Sequence, residues 1–302
     1  MGPFGSNDDR DGRYAIDPHS LPVVDPVRHL GKPLLRRPHA VLAFEGWNDA
    51  CDAASGALRH LLNRRGIKRA FAVIDSEEFF DFQEHRPLVS VLDGFVDKMT
   101  WPDTRFYAIE RPEHESDLVV VIGQEPSFRW KTFARTVAAV LSDYNVESAT
   151  MLGAYIGAVT HSTPVPLSGV SSNPDHLIGN ELSPTDYQGP TGIVAVLGEA
   201  CKEAGIPATS VWAATPHYLS ASPNPMAMRA LLRKAGQIVG FDGDSDELRR
   251  LEAAFIIQVN EAVAESEDLT EYVREVDEDE RNMDPTRTGE LVDEIEQFLK
   301  DV

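Results

Sequence analysis

The sequence predicts an α/β fold, in which a three-layer core with a mixed, mainly parallel sheet is followed by a helical appendage. Three observations carry this expectation. Strand-like and helix-like runs alternate between residue 38 and about residue 215, the pattern of a sheet with helices on its faces. The first apolar run, Val41-Leu-Ala-Phe44, has no polar alternation and reads as a strand covered on both sides. After Gly240 the strand-like runs stop and only helical spacing remains. The chain therefore divides into a mostly disordered or extended leader at 1–37, an α/β domain at 38–240 and an acidic helical appendage at 241–302.

The leader is rich in Pro, Gly and charge and shows no periodicity, so it buries too little apolar surface to order by itself, although its end can lie along the domain. Strands are expected at 39–44, 69–74, 105–110, 117–122, 149–153, 165–170 and 209–214, and helices at 48–64, 130–144, 191–204 and 223–239. Ala50, Ala54, Leu58, Leu61 and Leu62 mark one apolar face of the first helix. Phe133, Val137, Val140, Leu141 and Tyr144 keep the helical period in the second, and Gly205 with Pro207 ends the third. Between 76 and 100 the pattern is ambiguous. There Phe79-Phe-Asp-Phe82 reads as a strand outside the main sheet, and Phe79, Phe80, Phe82, Trp101 and Phe106 read as core aromatics in preference to an interface.

Beyond Gly240, Asp244-Ser-Asp-Glu247 opens a helix with a pair resembling a capping box, and Leu248, Leu251, Phe255, Val259 and Ala262 follow at helical spacing. Leu269, Tyr272, Val273 and Val276 form a shorter amphipathic piece, Asp284-Pro285 breaks it, and Leu291, Ile295, Phe298 and Leu299 mark a last helix. Three amphipathic helices need a surface to cover: each other, the α/β domain or a neighbouring subunit.

Composition narrows the function. The 302 residues, 42% of them hydrophobic, are enough for one large core. No run approaches the roughly 20 apolar residues of a membrane-spanning helix. The opening residues lack the basic and apolar regions of a secretory signal. Cys51 and Cys201 are the only cysteines, which excludes a disulfide framework and points to the cytoplasm. A net charge of -21 argues against nucleic acid and anionic membrane as partners. That charge is uneven, because residues 242–302 hold 21 Asp and Glu against six Lys and Arg.

The candidate functional residues follow strand ends, where crevices form in open α/β sheets. Glu45, Trp47, Asn48 and Asp49 come after the first strand and the Gly46 turn. Asn48 is placed to cap the next helix, and Asp49 and Asp52 suit the positive end of its dipole. His161 and His217 follow two later strands, and could meet Glu45 and Asp49 over the sheet as an acid–base or metal set. Taken singly, each histidine reads as a hydrogen-bonded loop residue. Thr191, in Gly189-Pro-Thr-Gly192, opens a helix. Capping is the better reading than anion binding there, since Pro190 lacks a donor and nothing basic adjoins it. Cys51 is either a thiol activated by a helix N-terminus or, as the better reading, a small packing residue.

The common signatures for phosphate, dinucleotide, zinc, redox and serine-hydrolase sites are absent. Asp242-Gly-Asp-Ser-Asp246 fails as a calcium loop, having Glu247 at its sixth position and Ala253 at its twelfth. No cofactor and no metal are expected.

Phe44-Glu-Gly-Trp-Asn-Asp-Ala-x-Asp-Ala-Ala-Ser55 resembles the opening signature of the proteasome assembly chaperone 2 family, in its actinobacterial branch. Further matching blocks are His161-Ser-Thr-Pro-Val-Pro-Leu-Ser-Gly169, Tyr187-Gln-Gly-Pro-Thr-Gly-Ile193, Glu203-Ala-Gly-Ile-Pro207, Ser210-Val-Trp-Ala213 and Pro216-His-Tyr218. Their order and spacing hold over residues 38–240. The resemblance implies a fold similar to nucleoside phosphorylases and related hydrolases, with a helical C-terminal part. It also implies a homo-oligomer (a trimer, by fold analogy) and no known reaction. The family commonly has Pro-His-Thr-Arg-Pro where this chain has Thr160-His-Ser-Thr-Pro164, and the missing Arg weakens an anion site. The family also tends to have Gly at the place of Cys51. Archaeal relatives that engage proteasomes end in a hydrophobic–Tyr–any-residue tail, whereas this chain ends in Leu299-Lys-Asp-Val302, without that Tyr.

Two readings follow. The first is a non-catalytic, self-associating protein that acts in protein assembly or interaction, with itself and other proteins as partners. The alternative is a small-molecule-binding protein or a hydrolase- or phosphorylase-like enzyme, with a crevice built from Glu45, Asn48, Asp49, His161 and His217.

Overall fold

A computed structural model describes residues 25–219 and 223–282. The expected break at Asp284-Pro285, the helix marked by Leu291 to Leu299 and most of the leader lie outside the described residues.

The elements run β1 (Val27–His29), β2 (His39–Glu45), α1 (Ala53–Arg64), β3 (Ala72–Ile74), β4 (Leu88–Leu92), β5 (Phe95–Thr100), β6 (Thr104–Ile109), β7 (Leu118–Gln124), α2 (Trp130–Asp143), β8 (Ser148–Gly157), β9 (Leu167–Ser171), α3 (Pro174–Gly179), β10 (Ser183–Pro184), α4 (Ile193–Glu203), β11 (Ala208–Pro216), α5 (Pro225–Val239), α6 (Asp246–Ala264) and α7 (Glu267–Asn282). Nine strands form one mixed sheet in the order β1-β3-β6-β7-β2-β8-β11-β9-β10, and β4 with β5 forms a separate hairpin. The four central strands β7, β2, β8 and β11 are mutually parallel, so their carboxyl ends open on one edge of the sheet.

The sheet has two cores because β2 is apolar and buried at each position from Ala40 to Phe44. Ala40, Leu42 and Phe44 point to one side and pack with α2 and α4, while Val41 and Ala43 point to the other and pack with α1 and α5. α1 carries Ala53, Ala54, Ala57, Leu58 and Leu61 on its buried side, and the small residues let it lie close to the sheet. On the opposite side Phe133 meets Phe44 and Phe79 edge-on, with ring centroids 5.9 and 5.3 Å away. This gives the three-layer α/β arrangement expected from the alternation of elements.

Several local expectations are corrected. The first helix does not begin at residue 48. One 3-10 turn (Ala50–Asp52) precedes α1, and Cys51 and Asp52 adopt left-handed φ angles of 57° and 49°. β3 is shorter than the expected 69–74, because Phe71 already directs its carbonyl to Leu30 and Gly31 of the chain end that forms edge strand β1. Phe79 to Phe82 is not a strand: Phe79 and Phe80 both donate their N–H groups to the Ser76 carbonyl, closing a turn that buries both rings. Trp101 is an exposed residue against Phe82, not a core one. The α6 cap is Ser245, whose hydroxyl accepts from the Leu248 N–H at 3.1 Å. Asp244 is drawn instead into an ion pair with Arg229 of α5. α5 and the turn before α6 approach so closely that a Cβ on Gly243 would lie 2.0 Å from the Leu232 carbonyl oxygen. Among the described residues no helix is long and apolar enough to cross a membrane.

Candidate functional site

The carboxyl ends of β2 and β7 bring together residues far apart in sequence. Gly46, at φ 110°, turns the chain after Glu45, and a Cβ there would lie 3.3 Å from that of Glu125. Asn48 is fully buried and donates from Nδ2 to Glu125 Oε1 at 2.7 Å. The same oxygen accepts from the Ile193 N–H at 2.7 Å, so the Glu125 carboxylate caps α4 from across the sheet. Asn48 in turn rests on Gly192, where a Cβ would come within 2.1 Å of its amide oxygen. That oxygen has no hydrogen-bond partner among the described residues. The Asn48 backbone carbonyl accepts from the Ala154 N–H of β8 at 2.8 Å.

Glu125 and Gly192 are the participants that sequence reasoning missed. Thr191, the expected cap, is exposed and lies one residue before the true N-cap, Gly192. Gly supplies no side-chain acceptor, so Glu125 provides it. The available signal was a Glu directly after a buried strand, the same signal that singled out Glu45.

The other members of the first cluster also have structural partners. Glu45 forms an ion pair with Arg59 of α1 and accepts from Gln124 Nε2 at 3.3 Å. Arg59 is further fixed by Ser55 Oγ at 2.8 Å. The buried Asp49 carboxylate, and not Asn48, accepts the first free N–H groups of α1, from Ala54 at 2.6 Å and Ser55 at 3.2 Å. Burial pushes its pKa above the ordinary value, outweighing those N–H bonds, which pull it down. Cys51 is buried with its thiol pKa raised by desolvation, the opposite of an activated nucleophile. Trp47 is 60% exposed on the turn itself, and Phe128 and Tyr187 are exposed on the loops before α2 and α4.

The two histidines serve a different task. His161 is buried, with Nδ1 2.7 Å from the Tyr218 hydroxyl and Nε2 3.1 Å from Asn260 Oδ1 of α6. His217 is exposed and packs edge-on against Tyr272 of α7, with centroids 4.6 Å apart. Ser162 Oγ lies 2.8 and 2.6 Å from the two carboxylate oxygens of Asp277, also of α7. The loop after β8 and the turn after β11 are thus latched to the last two described helices. The hydrogen bonds of His161 go to Tyr218 and Asn260, and those of Glu45 and Asp49 go to α1 and β7. The joint acid–base set is not assembled by these contacts. Among the described residues no group of three or more His, Cys, Asp or Glu is placed to hold a metal ion.

Comparison with known proteins fits this architecture. Residues 43–263 match the model of the PAC2 family. A PAC2 family protein from Streptomyces avermitilis is 43% identical, with 78% of this chain and 99% of that chain covered and a TM-score of 0.72. A proteasome-assembly chaperone homologue from Mycobacterium tuberculosis is 38% identical over the same shares, also with a TM-score of 0.72. An archaeal proteasome activator from Pyrococcus furiosus shares the fold at 16% identity, with 78% of this chain and 97% of that chain covered and a TM-score of 0.62. No curated protein sequence matches the chain.

Proposed function

This chain belongs to the PAC2 family, and from that premise we propose that it acts in the assembly or interaction of proteins and catalyses no reaction of its own. The observation that carries this reading is the engagement of the strand-end polar groups in the fold. Glu45 is neutralised by Arg59, Asp49 and Glu125 cap helices, Asn48 is sealed beneath α4, and His161 holds α6. Glu45, Asp49, Glu125 and His161 direct their hydrogen bonds to Arg59, helix N–H groups, Tyr218 and Asn260, and the exposed His217 packs on Tyr272 of α7. No feature of the site favours the alternative of a hydrolase- or phosphorylase-like enzyme or small-molecule binder.

The partner class is proteasome subunits, by analogy with the relatives described as a proteasome-assembly chaperone homologue and a proteasome activator. The protein works as a homo-oligomer in the cytoplasm. Its α/β part, 38–240, forms the body, and the described beginning of the acidic part, α6 and α7, is latched on through His161 and His217. The test is to mix the full chain with proteasome subunits of its own organism and follow complex formation by light scattering and particle assembly by native electrophoresis. A stoichiometric complex, or faster assembly, is expected. No complex and an unchanged assembly rate would overturn the reading.

A further inference from the structure

The β4–β5 hairpin pairs only with itself and is left bare. Asp93 and Gly94 close it with φ angles of 51° and 83°, the left-handed pair that matches the twist of an antiparallel ribbon. Leu88 pairs with Thr100, Val89 with Met99, Val91 with Val96 and Leu92 with Phe95. Every residue of β4 is exposed, and Phe95 is 78% exposed at the tip. Leu88, Val89, Val91, Leu92, Val96, Met99 and Trp101 are exposed as well. Because directly opposed residues share a face, both faces of the ribbon carry apolar pairs. Neither strand joins the main sheet, and each pairs only with the other, so two outer backbone edges are also open.

An isolated two-stranded ribbon is marginally stable in water, and soluble monomers seldom expose an apolar patch above roughly 600 Å². Taking roughly 150–200 Å² for a fully exposed large side chain, these eight residues present on the order of 800 Å², which is one partner's share of a standard interface. Charge points to the identity of the occupant. Two copies of a chain with net charge -21 repel each other over most of their surface. Residues 86–101 are locally neutral, with Arg86 and Lys98 against Asp93 and Asp97. A second hairpin also offers the matching apolar pairs and the matching open edge, as a self-complementary contact requires. The ribbon emerges between β3 and β6, at the carboxyl ends of the parallel strands, well away along the chain from the acidic residues after 241.

We infer that the β4–β5 hairpin is a self-association arm that is buried against a second copy of this chain. This rests on the self-association proposed above and names the surface that makes it. The experiment compares the wild type with Val91→Lys/Phe95→Lys by size-exclusion chromatography with light scattering at tens of micromolar, with thermal melts of both. Both positions are exposed and outside the main core, so the variant keeps its melting curve. The wild type is expected as an oligomer and the variant at the 33.3 kDa monomer mass. An oligomer that survives in the variant overturns the hairpin assignment while leaving self-association standing. A monomeric wild type overturns both. Ser90→Cys gives an independent reading, because Cys51 and Cys201 are buried and the new thiol lies mid-strand on the exposed ribbon. Oxidation should link two copies through it, and the absence of a linked species would count against the inference.

Discussion

Replacing Gly192 with alanine tests the joint between Asn48, Glu125 and α4 directly. The backbone there has φ -100° and ψ -175°, which any residue adopts, so the substitution adds no backbone strain. The new methyl would lie 2.1, 2.5 and 2.6 Å from the oxygen, nitrogen and carbon of the Asn48 amide. Asn48 cannot withdraw easily, since its side-chain amide nitrogen is held by Glu125 and its backbone carbonyl by Ala154. Overpacking costs about 1–3 kcal/mol. Loosening a hydrogen bond to a charged carboxylate adds about 1.5–3 kcal/mol, and an N-cap alanine is itself inferior to glycine. A loss of about 3 kcal/mol is expected, which lowers the melting temperature by about 6–12 °C for a domain of this size. Gly198→Ala is the internal control on the same helix. Its methyl would meet only the Met151 side chain at 3.6 Å, and replacing a mid-helix glycine gains up to about 1 kcal/mol. The assay is urea unfolding of Gly192→Ala, Asn48→Ala, the double variant and Gly198→Ala. The two single losses should overlap by more than about 1 kcal/mol, because removing the Asn48 amide makes room for the methyl. A Gly192→Ala midpoint equal to that of wild type, or strictly additive losses, would refute the reasoning.

Three further outcomes are expected. Arg229 joins α5 to the start of α6 through Asp244 at 2.9 Å and Glu252 at 2.6 Å, and it holds the Asp244 carboxyl far below its ordinary value of 3.8. A depressed carboxylate pKa contributes stability above the unfolded value and loses it as pH falls toward the folded one. Arg229→Met should therefore lower stability by about 1–2 kcal/mol at pH 7, with the gap to wild type narrowing below pH 3.8 in urea titrations. Cys201 is fully buried and its thiol is pushed up to about 11, so thiol reagents at pH 8 should leave it unlabelled in the folded protein and label it in urea. His161→Leu removes the bonds to Tyr218 and Asn260. Amide exchange should then rise in residues 246–278 and stay near wild type in the main sheet, and a uniform rise would remove the latch assignment.

The hairpin shows how local signals can be present and still be passed over. Asp93-Gly94 between Leu88-Val-Ser-Val-Leu92 and Phe95-Val96 is a strong short-range turn signal. The aromatic run upstream of it has strand composition yet folds as a turn, because Phe79 and Phe80 both bond to the Ser76 carbonyl. The α6 start shows the reverse case. Asp244 looked like a cap by spacing, but a guanidinium from α5 competes for it, and Ser245 takes the cap position.

The sequence alone determined the alternating order of elements, the buried strand at Val41 to Phe44, the helical faces and the family blocks. Hydrophobic period and turn residues report how each segment meets water, and that is a local property. It also placed Glu45, Asn48 and Asp49 at a strand end. Only the tertiary structure decided what those residues touch. Asn48 meets Glu125 from 77 residues away, and Ile193 meets it from 68. The two histidines, similar in sequence context, turn toward α6 and α7. Such pairings depend on strand order and on which helix N-terminus lands beside which strand end. Side-chain spacing along one segment carries no record of either, because the partners are brought together by burial of two separate apolar faces and not by any pattern of their own.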